Sequence, residues 1–229
     1  MVNTGQMTQQ DYQIISQFPQ YFGDQPMTNG PVYVGAIICA LFLLGCFIVK
    51  GPEKWALLIV TIISILLSWG HNMMWLTDWM IDHFPMYNKF RTVASILVIA
   101  EVAMPILAVL GLRELFKEPD GWRKHKVALI ASFGLCALIC LITAIFPNIF
   151  GHYSAMEHEQ LVASGQIQQY PSVDAAIAAV RGAMVSGDAW RSLIFLLLGF
   201  GVIFFYLKGK LKEMAATLII AGKIGRAHV

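Results

Sequence analysis

The chain has 229 residues, 57% of them hydrophobic and 13% charged, with a mean hydropathy of +0.64. Soluble domains carry about one quarter charged residues, so this composition excludes an ordinary water-soluble globule and points to a membrane protein. A net charge of +2 leaves no basic surface of the kind that binds nucleic acid.

Apolar runs of about 17 to 25 residues are the length that crosses a bilayer. In chain order they predict spans at 31–49, 55–69, 92–112, 127–146 and 192–207, with a sixth that breaks off at 214–221. The expected fold class is therefore all-α: a polytopic helical membrane protein in one multi-spanning domain covering 1–222, with five complete spans, a truncated sixth and short interfacial helices in the outward loops. The second and fifth spans are short and must borrow flanking residues or sit in thinner bilayer. Cation placement sets the orientation. Lys50 and Lys54, then Arg113, Lys117, Arg123, Lys124 and Lys126, then Lys208, Lys210 and Lys212 put ten on one side, against Lys89, Arg91, Arg181 and Arg191 on the other. The positive-inside rule places 50–54, 113–126 and 208–213 in the cytoplasm and 1–30, 68–91 and 148–191 outside, as in a multi-pass protein of a bacterial inner membrane. No charged stretch followed by an apolar core opens the chain, so no signal peptide is predicted and the chain reads as an internal piece of a longer protein. Residues 223–229, Lys-Ile-Gly-Arg-Ala-His-Val, read as a non-native tail of the kind translated from a sequencing adapter.

The polar residues that carry chemistry gather on the outward side. The 68–91 cassette is too aromatic for a plain hydrated loop. In it Lys89 and Arg91 suit a phosphate, Arg with two-point contact. Tyr87, with Trp75 and Trp79, brings an apolar face with a polar tip. Asp78 and Asp82 are four residues apart, hence on one face of a short helix, and suit hydroxyl donors; His71 is a proton-carrier candidate. The alternative is an interfacial aromatic belt whose cations reach for lipid phosphates. Upstream, Gly23-Asp24-Gln25-Pro26 is a turn that presents Asp24 and Gln25 to a polar ligand, unless Asp24 only caps it. Glu101 is the one acid inside a predicted span, a functional candidate by position or else a hydrogen-bonding link to a neighbouring helix. Pro105, four residues on, deprives its carbonyl of a helical donor. Between 148 and 191, Asp174 to Arg181 is predicted as a separate N-capped surface helix. No metal and no cofactor are expected: the histidines of that segment lack ligand spacing, and Cys39, Cys46, Cys136 and Cys140 fall inside spans. Ser132, Cys136, Cys140 and Ala144 form a small-residue packing stripe.

Five ordered motifs carry a resemblance: Tyr21-Phe-Gly-Asp24-Gln25-Pro26 through Gly35, Lys50-Gly-Pro-Glu-Lys-Trp55, Leu67-Ser-Trp-Gly-His-Asn72, Pro85-Met-Tyr-Asn-Lys-Phe-Arg91 and Ile96 through Glu101. Over about residues 20–222 the chain resembles the middle portion of YfhO-family bacterial membrane proteins of the Bacteroidetes type, which are several times longer. The resemblance implies a glycosyltransferase of the GT-C kind, taking sugar from a polyprenyl-phosphate carrier outside the membrane for cell-envelope glycosylation. The implied partners are the bilayer and that donor. It also implies a catalytic acid in a first outward loop that lies outside these 229 residues, so the fragment alone is expected to be inactive. A glycolipid transporter or flippase, and a non-catalytic assembly protein, are the competing readings.

Overall fold

A computed structural model describes residues 33–85, 87–89, 93–117, 121–150, 163 and 171–209. The expected sixth span, the 223–229 tail and the Asp24 turn lie outside these. Among the described residues the chain is all-helical, with no strand: α1 Ala36–Ile48, α2 Pro52–Ser68, α3 Met74–His83, α4 Leu97–Lys117, α5 Gly121–Ile145 and α6 Pro171–Leu207. Short 3-10 turns stand at Gly70–Met73, Tyr87–Lys89, Val93–Ile96 and Pro147–Phe150.

The helix boundaries follow local chemistry. α2 starts where Gly51, at φ +145°, turns the chain and Pro52 supplies the preset φ of a first helical turn. α4 runs five residues past the predicted end of its span because Arg113, Glu114, Leu115, Phe116 and Lys117 sustain a helix although they do not sustain hydropathy. The separate surface helix expected at 174–181 does not exist. Residues 171–207 form one continuous helix, since no proline interrupts the alanine-rich stretch after Pro171.

Among the described residues two helices are long and apolar enough to cross a membrane, Gly121–Ile145 and Ala179–Leu207. The expected count of five complete spans is not supported on that measure. α1 has 13 residues and α2 has 17. α4 has 21, but any eighteen in a row include at least three of Glu101, Arg113, Glu114 and Lys117.

The chain divides into two compact units, 28–138 with 192–229, and 1–27 with 139–191. In the first, α4 is the central element, packed on α1 and α2. Leu44 of α1 and Leu107 and Leu115 of α4 are fully buried, as are Leu129, Leu196 and Ile203. The α1–α4 contact is backbone to backbone. A Cβ on Gly111 would stand 2.7 Å from the Gly45 Cα, and one on Gly45 would stand 2.5 Å from the Leu107 carbonyl oxygen. Small residues at a helix crossing permit this approach, as membrane helices require where no hydrophobic effect drives association. The last turns of α6 close the unit with aromatic contacts, Tyr206 on Phe116 (ring centroids 4.1 Å apart) and Phe204 on Trp122 (4.9 Å).

Within this unit α2 reverses the polarity of a helix in a soluble protein. In α2 the buried positions are Thr61, Ser64, Leu67 and Ser68, while Ile59, Val60, Ile62, Ile63 and Ile65 are exposed. The three hydroxyls are satisfied. Thr61 donates to the Leu57 carbonyl (2.7 Å), Ser68 to that of Ile65 (2.7 Å), and Ser64 reaches across to the Ile96 carbonyl at 2.6 Å. α4 buries Ala100, Ala103, Ala108 and Gly111 and exposes Val98, Val102, Ile106 and Val109. Buried hydroxyls with an exposed apolar stripe are the informative departure from the usual rule.

The second unit has a smaller described part. The end of α5 meets α6 near its middle, where Ser186 donates to the Ala144 carbonyl at 2.7 Å. Arg181 is buried there, 3% exposed.

Candidate functional site

The strand of polar and aromatic residues after α2 is built as turn, helix, turn. Gly70–Met73 is a 3-10 turn, α3 follows without a break, and Tyr87–Lys89 forms a second 3-10 turn after Pro85. α3 touches both turns. Thr77 pins the first of these contacts by donating to the Gly70 carbonyl at 3.0 Å. The Tyr87 amide donates to the Phe84 carbonyl at 3.3 Å, which folds the second turn back toward the end of α3.

No residue of α3 is fully buried. Met73, Leu76, Thr77 and Met80 are half-buried, and Trp75, Asp78, Trp79, Asp82 and His83 are exposed. Helical spacing puts the exposed set on one face, with the two carboxylates side by side and the two indoles next to them. His83 closes the face: its ring stacks on Trp79 with centroids 5.0 Å apart and planes 17° apart, and Nδ1 lies 2.9 Å from the Trp79 carbonyl, to which it donates. Sequence reasoning missed His83. The signal was its position four residues after Trp79 in a helix only ten residues long.

Of the predicted site residues, the structure gathers Asp78, Tyr87 and Lys89 into this cassette. Lys89 is exposed; Tyr87 is half-buried with its hydroxyl oxygen enclosed. For His71 the backbone alone is described, inside the first 3-10 turn. Arg91, Asp24 and Gln25 lie outside the described residues. Glu101 stands apart from the cassette on α4, half-buried one turn before Pro105.

A groove of different chemistry runs between α5 and α6, lined by Ile130, Phe133, Gly134, Leu196, Leu197 and Phe200. With apolar groups alone it offers no hydrogen bond to orient a polar substrate. The cassette is thus the surface with chemistry to offer. No family model matches the chain, and neither a curated protein nor a solved structure matches it.

Proposed function

We propose that this chain is an internal stretch of a YfhO-like bacterial inner-membrane protein, and that its 68–91 cassette is one outward-facing wall of a site for a polyprenyl-phosphate-linked sugar. The full protein would use that donor in a GT-C-type glycosylation of the cell envelope. The membrane part of this reading is supported by the reversed polarity of α2 and the exposed apolar residues of α4. At about 1.5 Å per residue α2 extends ~26 Å and α4 ~32 Å, close to the ~30 Å of a hydrocarbon core. Exposed Trp55 and Trp69 stand at the two ends of α2, where an aromatic belt belongs, and Lys54 lies over the Trp55 ring at 5.1 Å. The charges of α4 cluster in its last turns, from which Arg113 and Lys117 can reach the interface.

The observation that carries the site is the exposed Lys89 on a turn that touches α3, the helix whose exposed residues include Trp75, Asp78, Trp79 and Asp82. Lys89, with Arg91 two residues on, offers a carrier phosphate its cationic partners. In the producing bacterium, replacing Lys89 or Arg91 by Ala in the full-length protein removes a charge-assisted contact of ~1.5–3 kcal/mol, a fall of roughly 10- to 100-fold in envelope glycosylation. Membrane abundance stays unchanged. Normal glycan on both variants sinks the reading. Accumulation of donor lipid on the cytoplasmic leaflet would instead mark a flippase.

A further inference from the structure

We infer that the exposed face of α3 is the platform for the sugar ring itself, with Trp75 and Trp79 against its C–H faces and Asp78 and Asp82 accepting its hydroxyls. This rests on the donor-binding reading above. A helix that lies in a membrane surface turns its aromatic side into the lipid and keeps charge on the opposite side. α3 does not separate the two. Around its axis the half-buried residues Leu76, Thr77 and Met80 occupy one arc, turned to the protein. The centre of the opposite, exposed arc is Asp82, flanked by Asp78 and Trp75, with Met74 and Ile81 at one edge and Trp79 and His83 at the other. Trp75 is 67% exposed and Trp79 50%. Sinking these indoles into acyl chains would drag both carboxylates with them, which a bilayer resists. The face is built for an aqueous ligand that has both apolar surface and hydrogen-bond donors.

Charge order narrows the class of ligand. The carboxylates lie on α3, and the cation Lys89 on the turn that touches it. Hydroxyl donors at one end and an anion at the other describe a glycosyl phosphate. A purely cationic ligand would meet Lys89 as a like charge. Only one face of Trp79 is open, because His83 covers the other; Trp75 therefore carries most of the stacking.

The test uses the full-length protein in nanodiscs and two probes, methyl glycosides (glucoside, galactoside and N-acetylglucosaminide) and undecaprenyl phosphate. Saturation-transfer NMR is expected to show ring-proton contact for at least one glycoside. Trp75→Ala or the Asp78→Asn/Asp82→Asn pair should weaken it about fivefold or more, the scale of one aromatic contact. Lys89→Ala should leave glycoside contact unchanged and weaken undecaprenyl phosphate, which Trp75→Ala should not. Unchanged elution and melting confirm that each variant folds. Absence of glycoside contact, its survival in both α3 variants, or Trp75-dependent binding of tetramethylammonium in its place overturns the platform. Glycoside contact without any undecaprenyl phosphate binding would keep the platform and overturn the donor reading.

Discussion

α2 and α3 are consecutive in the chain and opposite in design. α2 buries hydroxyls and exposes isoleucines; α3 half-buries Leu76 and Met80 and exposes aspartates among tryptophans. The same rule produces both, that the outer surface of a helix matches whatever surrounds it. On the reading proposed above, the surroundings of α2 are hydrocarbon and those of α3 are water and a polar ligand. That reading sets the boundary between the two media within Trp69 to Met73, a single turn whose first residue is an exposed tryptophan.

Charge insertion breaks this comparison most sharply. Ile63→Lys places a cation at an exposed position within α2 and should cost ~2.5–3.5 kcal/mol of insertion free energy, read as lost membrane-integrated protein. Trp75→Lys on α3 should leave integration unchanged; equal losses would erase the distinction between the helices. Next comes packing. Gly111→Ala drives a methyl into Gly45 and is expected to destabilise by ~1–3 kcal/mol in thermal unfolding. Ser64→Ala removes the hydroxyl from the Ile96 carbonyl, a loss of ~1 kcal/mol in the same assay. Smallest, and of opposite sign, is Gly134→Ala. Nothing lies within 4 Å of the added methyl, so the gain in helix propensity, ~0.5–1 kcal/mol, should raise the melting temperature.

Much of this was legible in the sequence, and the failures have physical causes. Hydropathy located α1, α2, α4 and α5, because apolar runs and helices coincide where lipid-like surface is needed. It misjudged ends, at Lys117 and at Pro171, because polar residues such as Arg113 and Asp174 continue a helix as readily as apolar ones. The packing stripe of α5 was largely readable from spacing: Ser132, Cys136 and Ala144 are buried, and Cys140 is half-buried. The Gly45–Gly111 contact was not, since those glycines are 66 residues apart and only the fold brings them together. In the cassette, the i, i+4 spacing of Asp78 and Asp82 correctly anticipated one exposed helical face. What spacing does not reveal is which side of that helix the protein covers, and this is what separates a ligand platform from an aromatic belt.

The hydroxyl of Ser64 has a consequence for biogenesis. Thr61 and Ser68 are satisfied by carbonyls of α2 itself, so their bonds exist as soon as that helix does. Ser64 depends on Ile96, a residue made later. While α2 stands alone in the translocon, a serine can fall back on the carbonyl one turn earlier in its own helix. On the membrane reading proposed above, α2 enters the bilayer unaided, and its serine is handed over to the turn that opens α4 only when that segment arrives. On the same reading the handover is an ordered event, in which insertion precedes and does not require assembly.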